Sequence, residues 1–245
     1  MVWRLLATGE KRLSAAAPFY GPFPEGGRLK GIKADELLLL DMHQEPLLHQ
    51  EAWGLRPRDI HQALALFALL DPDIHLVNLS GAAGSGKTIL ALAAAIEQTV
   101  VSKRYRRIIA TRSVQGLDED IGFLPGTEEE KMLPWMGALE DNLEVLHLGA
   151  SSTDIGSGTG GQDWSKNSTM ELIRSRIKVK SLNFMRGRTF LNKYVIIDEA
   201  QNLTPKQMKT LITRAGPGTK IICMGNLAQI DTPYLTEGSS GLTFA

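Results

Sequence analysis

A glycine-rich octapeptide directly after a short apolar run is the feature that most constrains the fold of this chain. Residues 81–88 read GAAGSGKT and fit the pattern G-x-x-x-x-G-K-[ST], and residues 74–79 form the apolar run before them. This combination predicts a phosphate-binding loop between a strand and a helix, because the glycines let backbone N–H groups close around phosphate oxygens. The following helix, predicted over residues 87 to about 101, points its positive dipole end at the same phosphates.

The loop residues have separate predicted tasks. Lys87 reaches the β and γ phosphates, and the hydroxyl of Thr88 is placed to ligate Mg²⁺. Gln62, about one helix upstream, is a candidate for reading the adenine edge through its amide, although a glutamine in that position is more often an ordinary surface residue. The predicted nucleotide-binding residues are Gly81, Ala82, Ala83, Gly84, Ser85, Gly86, Lys87, Thr88 and Gln62.

A pair of acids follows a second apolar run at residues 195–197. We expect Asp198 to hold Mg²⁺, directly or through water, and Glu199 to polarise the attacking water. Two adjacent acids at a strand end can also be solvated surface. The wholly apolar strand and the phosphate-binding loop in the same chain weigh against that reading.

A third polar position follows the predicted strand at residues 220–224. Gln229 is the candidate that senses the γ phosphate and couples hydrolysis to movement, and Asn226 is a competing sensor. The alternative for Gln229 is an ordinary loop glutamine. The predicted catalytic set is therefore Lys87, Asp198, Glu199 and Gln229.

Helices and strands alternate from residue 54 onward. Thr204, Pro205 and Gln207 mark a capped helix start, and Gly216-Pro217 marks its stop. The alternation predicts an α/β fold, a three-layer P-loop domain with a parallel sheet and the ligand at the carboxyl ends of the strands. Further predicted elements are a helix before residues 71–72, a strand at 108–111, a strand at 194–198, a mostly helical region at 133–148 and a surface loop at 149–163.

The composition fits one domain with an appendage. With 245 residues and 43% hydrophobic content, the chain can bury one substantial core. We expect an ATPase-type domain at residues 54–245 and an N-terminal extension at 1–53, either a small appended β element or a linker remnant. The Pro/Gly density slightly favours the linker. The lone Cys223 fits a reducing cytoplasm, and the chain lacks a membrane span or signal peptide pattern, so a cytoplasmic protein is expected.

Charge is balanced overall but clustered locally. Lys plus Arg and Asp plus Glu both number 27, so a nucleic-acid site has to come from clustering. Acids dominate residues 118–144. Between residues 166 and 193 the bases Arg174, Arg176, Lys178, Lys180, Arg186 and Arg188 face the single acid Glu171.

Four strings together resemble one family. Residues 80–88 (SGAAGSGKT), 184–190 (FMRGRTF), 198–201 (DEAQ) and 225–231 (GNLAQID) resemble the PhoH family, and their order is similar to the first motor domain of superfamily-one helicases. The resemblance covers residues 54–242. It implies a RecA-like ATPase core, ATP and Mg²⁺ as ligands, cytoplasmic location, oligomeric assembly and a role in RNA metabolism.

The chain also departs from that family. Asn226 stands where many relatives carry aspartate, and the chain stops a few residues after 238–242, where the family usually continues. Helicases of this superfamily use a second motor domain, so unwinding would require a neighbouring subunit to complete the site.

An arginine finger accelerates phosphoryl transfer when it is supplied in cis or in trans. The candidates are Arg112, Arg186, Arg188 and Arg214. For any single one of them, an ordinary surface arginine or an RNA-phosphate contact is favoured over a finger, and the sequence does not choose among them. A finger supplied in trans requires a homo-oligomer.

The leading hypothesis is a Mg²⁺-dependent ATPase, an RNA helicase motor that couples hydrolysis to work on single-stranded RNA through the basic stretch 174–188. The alternative is an ATP-dependent regulatory switch without motor activity. A small-molecule kinase is disfavoured by the adjacent Asp198 and Glu199, which suit water activation. GTP is disfavoured because an N-K-x-D string is absent.

Overall fold

A single seven-stranded sheet organises the chain. The computed structural model describes residues 3–6, 12–14, 50–113, 128–152, 162–185 and 189–245. Within them, the strand order is β2-β1-β3-β7-β6-β4-β5. The strands are β1 (Trp3–Leu6), β2 (Arg12–Ser14), β3 (Leu76–Ser80), β4 (Arg107–Arg112), β5 (Ile177–Val179), β6 (Lys193–Asp198) and β7 (Lys220–Gly225).

Five of these strands, β3, β7, β6, β4 and β5, are parallel, which confirms the predicted parallel sheet. β7 lies between β3 and β6, with Ser80 in register with Gly225. Arg112 of β4 is in register with Asp198 of β6. The carboxyl ends of β3, β7, β6 and β4 therefore meet at one edge of the sheet, which is where ligands bind in such folds.

The other two strands come from the N-terminal extension. β1 pairs antiparallel with both β2 and β3. The sequence slightly favoured a linker for this region, whereas these residues form a small β element on the edge of the main sheet. Most of the extension lies outside the described residues.

Helices cover both faces of the sheet. Asp59 caps the first helix by accepting a hydrogen bond from the Gln62 backbone N–H at 2.8 Å, and the predicted capping box of Thr204 and Gln207 is present. The helices are α1 (Ile60–Leu70), α2 (Lys87–Ile96), α3 (Glu128–Ser152), α4 (Gln162–Arg176), α5 (Leu182–Met185), α6 (Pro205–Ile212) and α7 (Gly241–Phe244).

The hydrophobic core has two halves, one on each face of the sheet. Alanine-rich α2 packs with α1 and α3 on one face, and α6 and α7 cover the other. The predicted helix over residues 87–101 is observed, although its final turn, Glu97–Val101, is a π-helix. This three-layer arrangement is the expected α/β architecture.

Two local expectations need correction. The predicted surface loop at residues 149–163 is helical at both ends, because α3 extends to Ser152 and α4 begins at Gln162. The sequence analysis also missed α4 and β5. β5 has only three residues and exists through its pairing with β4, so no local periodicity could reveal it.

Among the described residues, none of the helices combines the length and the apolar composition that crossing a membrane requires.

Candidate nucleotide-binding and hydrolysis site

The loop between β3 and α2 has the backbone conformation of a phosphate-binding loop. Gly84 and Gly86 have φ values of +74° and +87°, which other residues rarely adopt. The ammonium of Lys87 donates to the carbonyl oxygens of Gly81 and Ala82, both at 2.8 Å. Burial lowers the pKa of Lys87, while the charges of two nearby carboxylates oppose that shift. The lysine is therefore held against the loop with acids within electrostatic range.

Gln62 braces the outer side of this loop. Its Nε2 donates to the Ser85 carbonyl at 3.2 Å, and its Oε1 accepts from the Arg58 backbone N–H at 2.9 Å. A Cβ added at Gly86 would stand 3.0 Å from the same Nε2. Gln62 thus contacts the loop directly, and its reading of an adenine edge stays a prediction.

Asp198 ends the buried strand β6. Its Oδ2 accepts a hydrogen bond from the indole Nε1 of Trp135 at 3.2 Å. Burial raises the pKa of Asp198, the charge of Glu199 raises it further, and Arg112 lowers it. A nearby divalent cation would offset the unfavourable burial of this carboxylate.

Glu199 is held from two sides. Its backbone has a positive φ of +50°, which is uncommon for a residue other than glycine and is often found at functional sites. One carboxylate oxygen contacts Arg112 Nη2 at 3.2 Å. The other accepts a hydrogen bond from Gln201 Nε2. The orientation of this predicted water-activating group is therefore fixed by its neighbours.

Gln201 connects the elements around the acids. It is fully buried. Its Nε2 also donates to the Gln229 carbonyl at 3.0 Å, and its Oε1 accepts from the Asn226 backbone N–H at 3.2 Å. The Gln201 carbonyl accepts from Ser240 Oγ at 2.8 Å. The sequence analysis quoted this residue only as part of the DEAQ string, and that string was the available signal.

A cleft of about 230 Å³ brings these groups together at the carboxyl ends of the strands. Both sensor candidates, Asn226 and Gln229, lie on its wall. Trp135 and Asn142 enter from α3, and the sequence analysis missed both because nothing local placed that helix beside the loop. The cleft is lined by Ala83, Gly84, Lys87, Thr88, Arg112, Trp135, Ala138, Leu139, Asn142, Asp198, Glu199, Gly225, Asn226 and Gln229.

The four arginine-finger candidates differ in where they lie relative to the cleft. Arg112 lines the cleft and pairs with Glu199. Arg214 follows α6 and is not among the cleft residues. Arg186 and Arg188 lie outside the described residues. Arg112 is therefore the candidate that the fold brings to the acids within its own chain.

The residues present fit a magnesium ion. Thr88 and Asp198 line the same cleft, and hydroxyl and carboxylate oxygens are hard donors that suit Mg²⁺. Magnesium in nucleotide sites uses one or two carboxylates plus phosphates and waters, so a small set of protein ligands is sufficient. The raised pKa of Asp198 is the electrostatic reason that a cation is favourable there.

Comparison with known proteins supports the same reading. The family described as PhoH-like protein matches residues 54–245. The chain is 43% identical to Protein PhoH2 of Bacillus subtilis over 80% of the chain and 41% of that protein. It is 37% identical to a PhoH-like protein of the same organism over 89% of the chain and 62% of the relative. It is also 39% identical to Protein PhoH of Escherichia coli K12, over 64% of the chain and 40% of the relative.

These relatives are longer than the region that the chain matches, since it spans about half of their length. The match begins at residue 54, where the alternating helices and strands begin, and it includes every residue of the cleft. With its P-loop fold and this match, the chain belongs to the PhoH family, whose members are generally ATP-binding proteins.

Proposed function

We propose that this protein is a Mg²⁺-dependent ATPase that couples hydrolysis to the binding or remodelling of single-stranded RNA. The observation that carries the proposal is the cleft that joins the phosphate-binding loop to Asp198 and Glu199. A loop that binds phosphate and an acid that activates water are needed together for hydrolysis, and here they face one space.

The roles follow from position. Lys87 and the loop amides bind the β and γ phosphates, and Thr88 with Asp198 holds Mg²⁺. The ion, when bound, neutralises the charge that develops on the phosphates. Trp135 holds the Asp198 carboxylate in its orientation through the 3.2 Å hydrogen bond. Glu199 orients the attacking water and accepts its proton.

Arg112 is the arginine that we propose to act on the phosphates from within the same chain. Its guanidinium pairs with Glu199 at 3.2 Å, so it lies where a group in cis can stabilise transferring phosphoryl charge. We propose that Arg112 shifts from the carboxylate toward the γ phosphate when ATP binds. A second arginine supplied in trans by another copy of the chain is part of the same proposal, as is a homo-oligomer in the cytoplasm.

The proposed binding of RNA rests on a cluster of positive charge. Arg174, Arg176 and Lys178 are exposed within the basic stretch, and the family resemblance points to RNA metabolism. Contacts of this kind are made to phosphates, so the affinity should fall steeply as salt rises.

A regulatory nucleotide switch is the second candidate. Both oxygens of the Glu199 carboxylate already have partners, Arg112 and Gln201. A site in which those bonds persist after ATP binds would bind nucleotide and signal its presence while hydrolysing it slowly.

Steady-state ATP hydrolysis, measured with and without polyuridine at low salt, separates the two. Glu199→Gln keeps the size of the side chain but removes the base, and Glu144→Gln on the exposed side of α3 is the matched control. RNA stimulation that survives Glu144→Gln and disappears in Glu199→Gln supports the motor. ATP binding with slow hydrolysis that RNA leaves unchanged supports the switch, and absence of ATP binding overturns both.

A further inference from the structure

A row of cations crosses the amino-terminal end of the sheet, opposite the cleft. Arg107 at the start of β4 is in register with Lys193 at the start of β6. Arg176 immediately precedes β5, whose first residue pairs with Ile108 of β4. Arg107 and Lys193 therefore start two neighbouring strands, and Arg176 directly precedes the third. Since neighbouring strands are about 4.8 Å apart, the three Cα atoms span about 10 Å.

More cations flank this amino-terminal row. Lys103, Arg104 and Arg106 precede β4 and are exposed, and so is Arg174 in the last turn of α4. The flanking segment is arginine-rich, and a planar guanidinium suits two-point contacts with phosphate oxygens.

The backbone that carries the row is fixed in place. The N–H groups of Arg104 and Tyr105 donate to the Gln98 carbonyl at 2.8 and 3.2 Å, and the Arg106 N–H donates to the Asn192 carbonyl at 2.9 Å. Arg176 Nη1 donates to the Arg106 carbonyl at 3.3 Å. A pre-arranged backbone lowers the ordering cost of binding a ligand.

Among the described residues, no carboxylate forms an ion pair with a cation of the row. Within the described part of the chain, the ion pairs are Arg56–Glu51 and Arg112–Glu199, so none of the row's cations is paired there. Clustered cations repel one another. A polyanion is the ligand chemistry that fits such a cluster of cations.

We propose that Arg107, Arg176 and Lys193 form a contact surface for the phosphate backbone of single-stranded RNA. This inference rests on the proposed function and gives it a location. The two aromatic side chains beside the row, Tyr105 and Tyr194, are buried and cannot stack on bases. The contacts are therefore made to phosphates, and binding here is independent of base sequence.

The position separates RNA from the nucleotide. β4 and β6 each have six residues, so the first and last Cα atoms of each strand lie about 17 Å apart. RNA on the row does not touch ATP in the cleft. The shared strands β4 and β6, which carry Arg112 and Asp198 at their other ends, connect the two sites.

The test is the anisotropy of fluorescein-labelled polyuridine titrated with the full chain over a range of salt concentrations. The variant is Arg107→Gln/Arg176→Gln. The control is Lys206→Gln/Lys209→Gln, which removes the same charge from the exposed side of α6. We expect several-fold weaker binding for the row variant alone, and a slope of log affinity against log salt that is shallower by about 1.4, since each single-strand phosphate contact contributes about 0.7. The affinity for polyadenosine should fall by the same factor.

The outcomes distinguish the two proposals. If the wild-type chain binds RNA and the row variant binds as tightly as the control, the row is not the RNA surface, and the proposed function stands. If the wild-type chain neither binds RNA nor responds to it, both fail. If the row variant changes the mass in solution by light scattering and leaves the RNA affinity intact, the row contacts another protein copy and the inference is overturned.

The variant is expected to fold, because both side chains are exposed, and its basal ATP hydrolysis should equal that of the control. Unchanged thermal unfolding, together with lost RNA stimulation of hydrolysis, would show that the effect is on RNA binding alone.

Discussion

The two ends of the parallel sheet differ in whether their charged side chains have partners. At the carboxyl end, Glu199 is paired with Arg112 at 3.2 Å and Asp198 accepts from Trp135, so each acid has a partner inside a cleft. At the amino end, Arg107 and Arg176 are exposed and have no described carboxylate partner. A ligand that separates a paired charge from its partner has to replace that partner, whereas uncompensated surface charge attracts a partner from solution.

One cation at the amino end is an exception. Lys220 is fully buried at the start of β7, and its Nζ donates to the Ala68 and Asp71 carbonyls at 2.6 and 2.7 Å. It caps the carbonyl end of α1. Burial lowers its pKa from 10.5 to about 7. The same end of the sheet therefore holds cations for two purposes, docking of a helix and contact with solvent or a partner.

The largest effect is expected from Lys87→Ala at the cleft. Its ammonium provides the positive charge that meets the β and γ phosphates, and loss of a single charge-stabilising donor in an active site costs about 10²–10³ in rate. Steady-state ATP hydrolysis measures it, with the exposed Lys206→Ala as control. Equal rates in the two variants would show that Lys87 does not take part in ATP hydrolysis.

The next effect is expected from Gly225→Ala. The added Cβ would stand 2.2 Å from Gln201 Oε1, which forces the glutamine to move and releases Glu199. Displacement of a catalytic group by about 1 Å can cost about 10²-fold, so kcat should fall by up to that factor with a smaller change in KM. Gly238→Ala, where an added Cβ meets nothing within 4 Å, is the control. A normal kcat in a folded Gly225→Ala protein would show that Gln201 does not position the acid.

A stability effect is expected at Lys220 on the other end of the sheet. Its pKa is about 7 in the folded state and near 10.5 when unfolded, so between these values the unfolded chain binds more protons. The free energy of unfolding should therefore rise with pH, by up to about 1.4 kcal/mol per unit. Denaturant melts between pH 7 and 8.5 measure this rise.

Lys220→Met is the comparison for that pH series, because it removes the titrating group and keeps an unbranched side chain. Its curve should be flatter than that of the wild-type protein. Cys223, whose pKa burial raises to about 12, is present in both proteins and cancels. Parallel curves would show that Lys220 stays charged when folded.

The smallest change in stability is expected from Asp198→Asn. Burial and the charge of Glu199 raise the Asp198 pKa, so the ionised carboxylate opposes folding above its ordinary range of titration. An amide removes that charge and can still accept from Trp135. The variant should lose hydrolysis and be slightly more stable than the wild-type protein at pH 7. Thermal unfolding measures the gain, with exposed Asp141→Asn as control, and a loss of stability would contradict it.

Local chemistry made much of the fold predictable. The capping box at Thr204, the glycines of the phosphate-binding loop and the apolar strand before Asp198 are each complete within a few residues. Short elements could not be predicted, because their structure depends on residues that are far away in the sequence. β5 is set by its pairing with β4, and the β strands of the extension depend on the edge that β3 offers.

The site residues also fall into two groups, those that the sequence predicted and those that the fold selected. The sequence alone predicted Lys87, Thr88, Asp198 and Glu199, because each task requires a particular side chain next to a strand end. It offered four arginines without preference, and the fold brings Arg112 to the acids.

The fold class, the phosphate-binding loop and the family could be predicted from the sequence, since they depend on residues that are adjacent in the chain. The folded chain was needed to show that Trp135 faces Asp198 and that Gln201 joins Glu199 to the loop of Gln229. It was also needed to show that Arg107, Arg176 and Lys193 form one row. Trp135 is 63 positions from Asp198. Contacts over such separations come from strand order and helix packing, which no short stretch of sequence encodes.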